Sequence, residues 1–562
     1  MTTMAESMAT LAEAILDDRW KTSPLTATLD GVHAYDRQLD EMSAEAFAGA
    51  SARQREFLRR LAAIDLHELS LEARLDHAVL VGQLEAAVAA FDEVRAWEKD
   101  PSVYAGAALY GVFPLALRTF APAEVRAEAA AARLAQVPRL VAQGKANLAA
   151  APADRVSPRL FTETAIEVVQ GGQAFFAEVV PQLAEPLASQ GLKADLLRAN
   201  AGAMAAFADY LEWLRHTHLA RSTGDFAIGR DAFDLELRTE HGLPYDADQL
   251  AAIGREAIEQ AERSLEALAR TIDPGRSWFE QVEALKSTHP SPDGLLDAYR
   301  AEMNRVRAFV IEQKLATVPP GESLEVIETP VFERPLIAYA AMMPPAPFDE
   351  EQKSLFYVTP VDPALPEAER RERLKGHATC SIPVTALHEA YPGHHLQLTR
   401  AGRIASRVRR VYSTPVFVEG WALYCEEMMY EAGFYPDPRV RLFQLKDLLW
   451  RACRVVVDVG LHCEGMTPEA AVELLVSKAR LERPNAETEV RRYCATPTQP
   501  MSYLIGRREI LALRDAYSAR AGRSFSLGEF HDALLGYGSI PVGLVREALF
   551  ARPSPRRAEG RA

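Results

Sequence analysis

The sequence predicts a mainly α-helical fold with one small β-sheet, and three observations carry the prediction. From Met1 to about Arg270, Ala, Leu, Glu and Arg dominate and apolar residues recur at spacings of three and four. Between Gly321 and Pro360 the pattern changes to short β-favouring runs beside Pro and Gly. Helical periodicity then returns from Thr385, with interruptions at Pro392-Gly393, Pro497 to Pro500 and Gly536 to Gly543.

In order along the chain, helices are expected through Glu45 to Leu66, Arg126 to Leu148, Leu187 to Leu214 and Ala251 to Thr271. Joints bearing Pro or Gly separate them, at Asp100-Pro101, Ala151 to Pro158 and Gly242 to Tyr245. Asp273-Pro274-Gly275 is a turn signal, so residues 1–272 read as a helical scaffold and 273–562 as the region that holds the chemistry. Ser323 to Glu328 and Leu355 to Val358 are the expected strands. A strand beside a metal-bearing helix would offer backbone hydrogen bonds to an extended peptide.

A chain of 562 residues with 48% hydrophobic and 25% charged residues can bury a large core. Its formal charge of -15 opposes generic attraction to nucleic acid or an anionic membrane, so neither is an expected partner. Met1 to Asp18 has no basic cluster and no sustained apolar run, and no later stretch reads as a membrane span. A cytoplasmic location is the resulting expectation. The five cysteines, an odd number with no Cys-x-x-Cys pair, suit reduced thiols better than disulfides or a thiolate metal site.

The chemistry concentrates in two segments, His388-Glu389-Ala390-Tyr391-Pro392-Gly393-His394-His395 and Glu419-Gly420-Trp421-Ala422-Leu423-Tyr424-Cys425-Glu426. Imidazoles and carboxylates in this combination point to a zinc hydrolase acting on peptide bonds. The spacing is unusual. Four residues after His388 stands Pro392, whereas the common arrangement puts a second His there. In an unbroken helix His388 and His395 would share a face but lie roughly 10 Å apart along the axis. Pro392-Gly393 offers a remedy, because a break there returns a downstream ring toward the first. His394 is the preferred second ligand and His395 the alternative, either as ligand or as support behind it. Glu389, beside a ligand, is placed to act as general base on a metal-bound water. Glu419 is the candidate third ligand, on a helix expected over Val418 to Tyr430, and Glu426 lies about two turns on, placed to orient a His or to face solvent.

These segments resemble the signature of the DUF885 family, His-Glu-x-x-Pro-Gly-His-His-x-Gln followed by Glu-Gly-Trp-Ala-x-Tyr-x-Glu. A third block, Arg492 to Gly506, and an opening segment, Pro24 to His33, resemble the family as well. The resemblance implies a large zincin-like helical metallopeptidase fold similar to the M2, M3 and M32 architectures. It also implies a small sheet beside the active-site cleft, and a first half serving as channel wall in one continuous unit. A closed channel would favour short peptides. The resemblance supports zinc-dependent hydrolysis more than it defines a substrate; carboxypeptidase or dipeptidyl-carboxypeptidase action would follow from Arg492 or Arg507 clamping a substrate carboxylate. Hydrolysis of another small amide and a non-enzymatic metal-stabilised peptide-binding scaffold are the alternatives.

Placement in the third block makes Tyr503 the candidate oxyanion donor, with Gly506 permitting close approach and Tyr493 as second choice. Arg454, Asp458 and His462 recur at four-residue intervals and share a helix face, to bind a peptide terminus or to form a structural network. Arg492 and Arg507 are candidate clamps for a substrate carboxylate. His377 is a substrate-facing candidate whose competing role is ordinary packing.

Overall fold

The computed structural model describes residues 2–329, 334, 340–350, 352–362, 364–435 and 437–551, with the side chains of 2–7 and 154 excepted. The chain divides into two compact units, Met1–Ile228 with Ala346–Glu351, and Gly229–Pro345 with Gln352–Ala562. Both are dominated by helices, and the described strands form one three-stranded sheet in the second. Among the described residues no helix is long and apolar enough to cross a membrane.

In the first unit the helices Arg159–Ala184 and Gln190–Trp213 pack through aromatic rings, Phe176 against Phe207 at 4.9 Å edge to face. A Cβ on Gly172 would lie 2.6 Å from the Phe207 ring, so glycine sets how closely these helices approach. The expected helix from Arg126 to Leu148 is two, Ala123–Leu134 and Val137–Ala150, the second beginning with Pro138 in its first turn. Fully buried Arg133 binds the opening segment, donating to the carbonyls of Pro24, Gln38 and Gly111 and to Thr28 Oγ1. His33 sits between Asp36 and Asp349, 2.9 Å from each. Burial works against the charged ring, but those two hydrogen bonds outweigh it and lift its pKa to about 9.

The second unit builds the site on eight helices and the sheet. Helix α1 (Ala247–Ile272) starts at Asp246, whose side chain forms a capping box with Gln249. Helix α2 (Leu295–Glu312) carries Leu295 and Tyr299, which form one apolar cluster with Val326, Phe356, Val358 and Ile382 and so seat the sheet. The strands are β1 (Ser323–Glu328), β2 (Ala340–Met343) and β3 (Lys353–Val358), in the order β1-β3-β2. β1 runs parallel to β3 with Val326 opposite Phe356; β2 runs antiparallel to it with Met342 opposite Phe356. Ile382 begins α3 (Ile382–Glu389), after which come α4 (His394–Ala401), α5 (Pro415–Glu431) and α6 (Pro438–Cys463). Helices α7 (Arg483–Ala495) and α8 (Ser502–Ala521) complete the set.

Two glycines set the spacing of α5 and α8. A Cβ on Gly420 would stand 2.4 Å from Gly506 Cα, and one on Gly506 would stand 1.8 Å from the Val416 carbonyl oxygen. Only hydrogen fits at this crossing.

Candidate metal centre

Helix α3 stops at Glu389 and α4 begins at His394, so the Pro392-Gly393 interruption is a true break between two helices. Its hydrogen bonds are re-routed. Gly393 N donates to the Leu387 carbonyl at 3.1 Å, Leu396 N to Ala390 at 3.3 Å, and the Trp421 indole to the Pro392 carbonyl at 2.8 Å. A Cβ on Gly393 would lie 1.8 Å from the His388 carbonyl oxygen, so glycine is required for the chain to fold back this tightly.

The fold-back puts the rings of His388 and His394 4.9 Å apart, nearly perpendicular. Glu419 on α5 comes from the other side, its Oε2 3.3 Å from His394 Nε2. One donor atom from each of His388, His394 and Glu419 lies within 4.8 Å of the other two. Behind them, His388 Nδ1 is 2.8 Å from Glu426 Oε1, and Glu426 is 1% exposed. Glu426 is thus buried against the first imidazole, where it fixes the ring and leaves the other nitrogen for the site. Burial raises the Glu419 carboxyl, but hydrogen bonds from His394 and Tyr503 and the nearby imidazoles outweigh it and hold its pKa at about 2. Burial opposes charge on His394, and the hydrogen bond to Glu419 with the surrounding carboxylates raises its pKa nonetheless.

The donor set suits a divalent metal. Two imidazoles and one carboxylate match a three-ligand zinc site with a coordination position left for water or substrate. The buried His394 Nδ1 and Glu426 Oε2 have no hydrogen-bond partner among the described residues.

His395 points elsewhere. Its Nδ1 meets Ser354 Oγ and its Nε2 meets Glu322 Oε2, both at 2.7 Å, and the ring is fully buried. Burial raises Glu322, but His395, Tyr391 and Arg307 overcome it and hold the carboxyl at about 2. Consecutive helical residues project about 100° apart, so one of the doublet faces the donors while its neighbour anchors the helix to β3 and Glu322.

A cavity of about 380 Å³ contains all three donors, Glu389, Glu426, Tyr503 and Arg454. Half-buried Glu389 therefore faces the same space as its neighbour His388. The other substrate-binding candidates do not line it. His377 is buried with its Nδ1 3.1 Å from the Tyr299 hydroxyl, and burial lowers its pKa to about 4. Asp458 accepts the backbone N–H groups of Thr498 and Met501 at 3.2 Å, a structural use that ties α6 to the loop before α8. His462 Nε2 pairs with the Tyr493 carbonyl at 3.0 Å, and the Tyr493 hydroxyl donates to Glu489 at 2.6 Å. Arg492 is spread over Gln499 and Glu489, and Arg507 faces Glu427 at 3.5 Å. Both guanidinium groups are ion-paired, and neither residue lines the cavity.

Sequence reasoning overlooks Asp447 and Arg451, which line the cavity from α6. Arg451 and Asp447 lie three and seven residues before Arg454, one and two helical turns back on the same face, so following the helix face rather than the four-residue interval finds them. It also overlooks β2, whose Ala341 and Met342 line the cavity, because Ala-Ala-Met-Met carries no β-branched residue.

The model of the family described as bacterial protein of unknown function (DUF885) matches residues 24–549. The chain belongs to the DUF885 family. Two solved structures share the fold of this DUF885 protein. One is a proposed lipoprotein of unknown function from Shewanella oneidensis, 24% identical, covering 97% of this chain and 99% of that one, with TM-score 0.81. The other is a proposed lipoprotein from Colwellia psychrerythraea, 20% identical, with the same 97% and 99% coverage and TM-score 0.83. No curated protein matches the chain. The expected cytoplasmic location is corrected here: both proteins with this fold are described as lipoproteins, a membrane-attached class, so the fold is not tied to the cytoplasm. Net charge and a missing apolar run are too indirect to assign a compartment.

Proposed function

We propose that this DUF885 protein is a zinc-dependent hydrolase that cleaves peptide bonds in short peptides. The observation that carries the reading is the convergence of His388, His394 and Glu419 donors within 4.8 Å, beside Glu389 in one cavity. Zinc, when bound, supplies Lewis acidity and makes water more acidic. Glu389 takes the proton of the attacking water and returns it to the departing amine. Tyr503, which lines the same cavity as Glu419, turns its hydroxyl to the carbonyl oxygen as negative charge develops there. Glu426 keeps His388 in one tautomer and orientation. Among the described strands β2 is an edge, and its lining of the cavity favours an extended peptide over a compact amide.

The test is metal quantification on the purified protein with mass-spectrometric profiling of a mixed peptide library, in parallel with Glu389→Gln. The reading expects about one zinc per chain and peptide cleavage that Glu389→Gln abolishes with zinc retained. Turnover of non-peptide amides alone would move the assignment to an amidohydrolase. Zinc retention without turnover of either would leave a metal-stabilised binding scaffold.

A further inference from the structure

Helix α6 brings a guanidinium into the same cavity as the metal donors. Arg454 is 4% exposed, and its Nη2 donates to Glu489 at 3.0 Å. Its Nε and Nη1 have no hydrogen-bond partner among the described residues, so most of its donor capacity is unanswered. Glu489 already supplies one anion to this buried cation, and its two remaining donor nitrogens are costly to leave unanswered. The group is held in place by aromatic faces, with its Cζ 4.1 Å from the Trp450 ring and 4.6 Å from the Tyr503 ring. Tyr503 lines the cavity together with the donor Glu419, so one aromatic side chain touches the guanidinium and the space shared with the metal donors.

We propose that Arg454 receives the free α-carboxylate of a peptide, so that the substrates are short peptides with unblocked C-termini cut from that end. The inference rests on the hydrolase reading for its catalytic half only. A planar carboxylate suits the guanidinium of Arg454, which lines the cavity. Arg492, which shares Glu489 with it, and Arg507 do not line the cavity.

The test begins with binding. Zinc-free protein is titrated calorimetrically with an N-acetylated dipeptide as the free acid, as its C-terminal amide, and as an amide ending in Glu. The free acid is expected to bind about 10- to 100-fold more tightly than the plain amide, the range of a charge-assisted hydrogen bond. Arg454→Lys and Arg454→Met, checked for native circular dichroism, are expected to lose most of that ratio. Equal binding of acid and amide by the unaltered protein overturns the proposal whether or not a variant folds, as does a folded Arg454→Met protein that keeps the ratio. Binding of the Glu-terminated amide as tightly as the acid would show that a side-chain carboxylate suffices, and the C-terminal assignment falls. With zinc restored, the expected products are released from the C-terminal end. Acid preference in binding without turnover sinks the hydrolase reading and leaves the anchor standing. Turnover of acid and amide alike sinks only the anchor.

Discussion

Replacing Gly393 with Ala attacks the fold-back without touching a donor. The added Cβ would lie 1.8 Å from the His388 carbonyl oxygen and 2.4 Å from that of Leu387. Carbon and oxygen normally stand no closer than about 3.3 Å, so the α3–α4 junction must open by about 1.5 Å. Both obstructing atoms are backbone, and neither can rotate aside. Overpacking of this kind costs about 1–3 kcal/mol or more. The same displacement moves the His394 ring by most of a zinc–nitrogen bond length, about 2.0–2.1 Å. Zinc affinity is therefore expected to fall by at least about 100-fold, a loss of roughly 2.7 kcal/mol. Competition against a fluorescent zinc chelator reads the affinity, and far-ultraviolet circular dichroism confirms that the helices persist. A folded Gly393→Ala protein with unaltered zinc affinity would refute the argument that this glycine sets the spacing of the imidazoles.

Three further outcomes are expected. Glu426→Gln weakens zinc binding by about 10- to 100-fold with secondary structure intact, read by the same competition assay, because the carboxylate behind His388 fixes that ring. Tyr503→Phe lowers kcat about 10²- to 10³-fold with zinc content and KM nearly unchanged, as steady-state kinetics will show. His33 makes the chain's stability depend on pH: its folded pKa is raised to about 9, so its contribution is complete below about 6.5 and lost as pH rises through 9. Discounted for its partial exposure, that contribution is about 1–2 kcal/mol. Urea unfolding of the first unit's transition at pH 6 and pH 9.5 should show this loss, and His33→Gln should not.

The residues at the centre of the site are legible in the sequence because local chemistry announces them. Pro392 and Gly393 forbid a continuous helix, and once it is broken a ring six residues after His388 can return to it. Glu419 and Glu426 are separated by seven residues of helix, which sets both carboxylates on one face of α5. The helical class follows from periodicity in the same way, as does the capped start of α1 after Asp246. Partner choice for cations is less legible. Glu489 stands three residues before Arg492 on α7, so that pair is legible from helical spacing, whereas nothing near Arg507 in the chain tells that Glu427 faces it, since that pairing arises only when α5 and α8 pack. His377, Asp458 and His462 follow the same rule, their polar atoms answering buried partners supplied by other elements. β2 escapes notice because a strand without β-branched residues owes its conformation to the ladder with β3.

The central claim is that one metal ion sits among His388, His394 and Glu419. A crystal of the zinc-loaded protein, measured at the zinc absorption edge, tests it in a single anomalous difference map. The expected map has one strong peak about 2.0–2.2 Å from a nitrogen of each imidazole and an oxygen of Glu419. A zinc peak on other residues, or none from a protein that retains its fold, would contradict it.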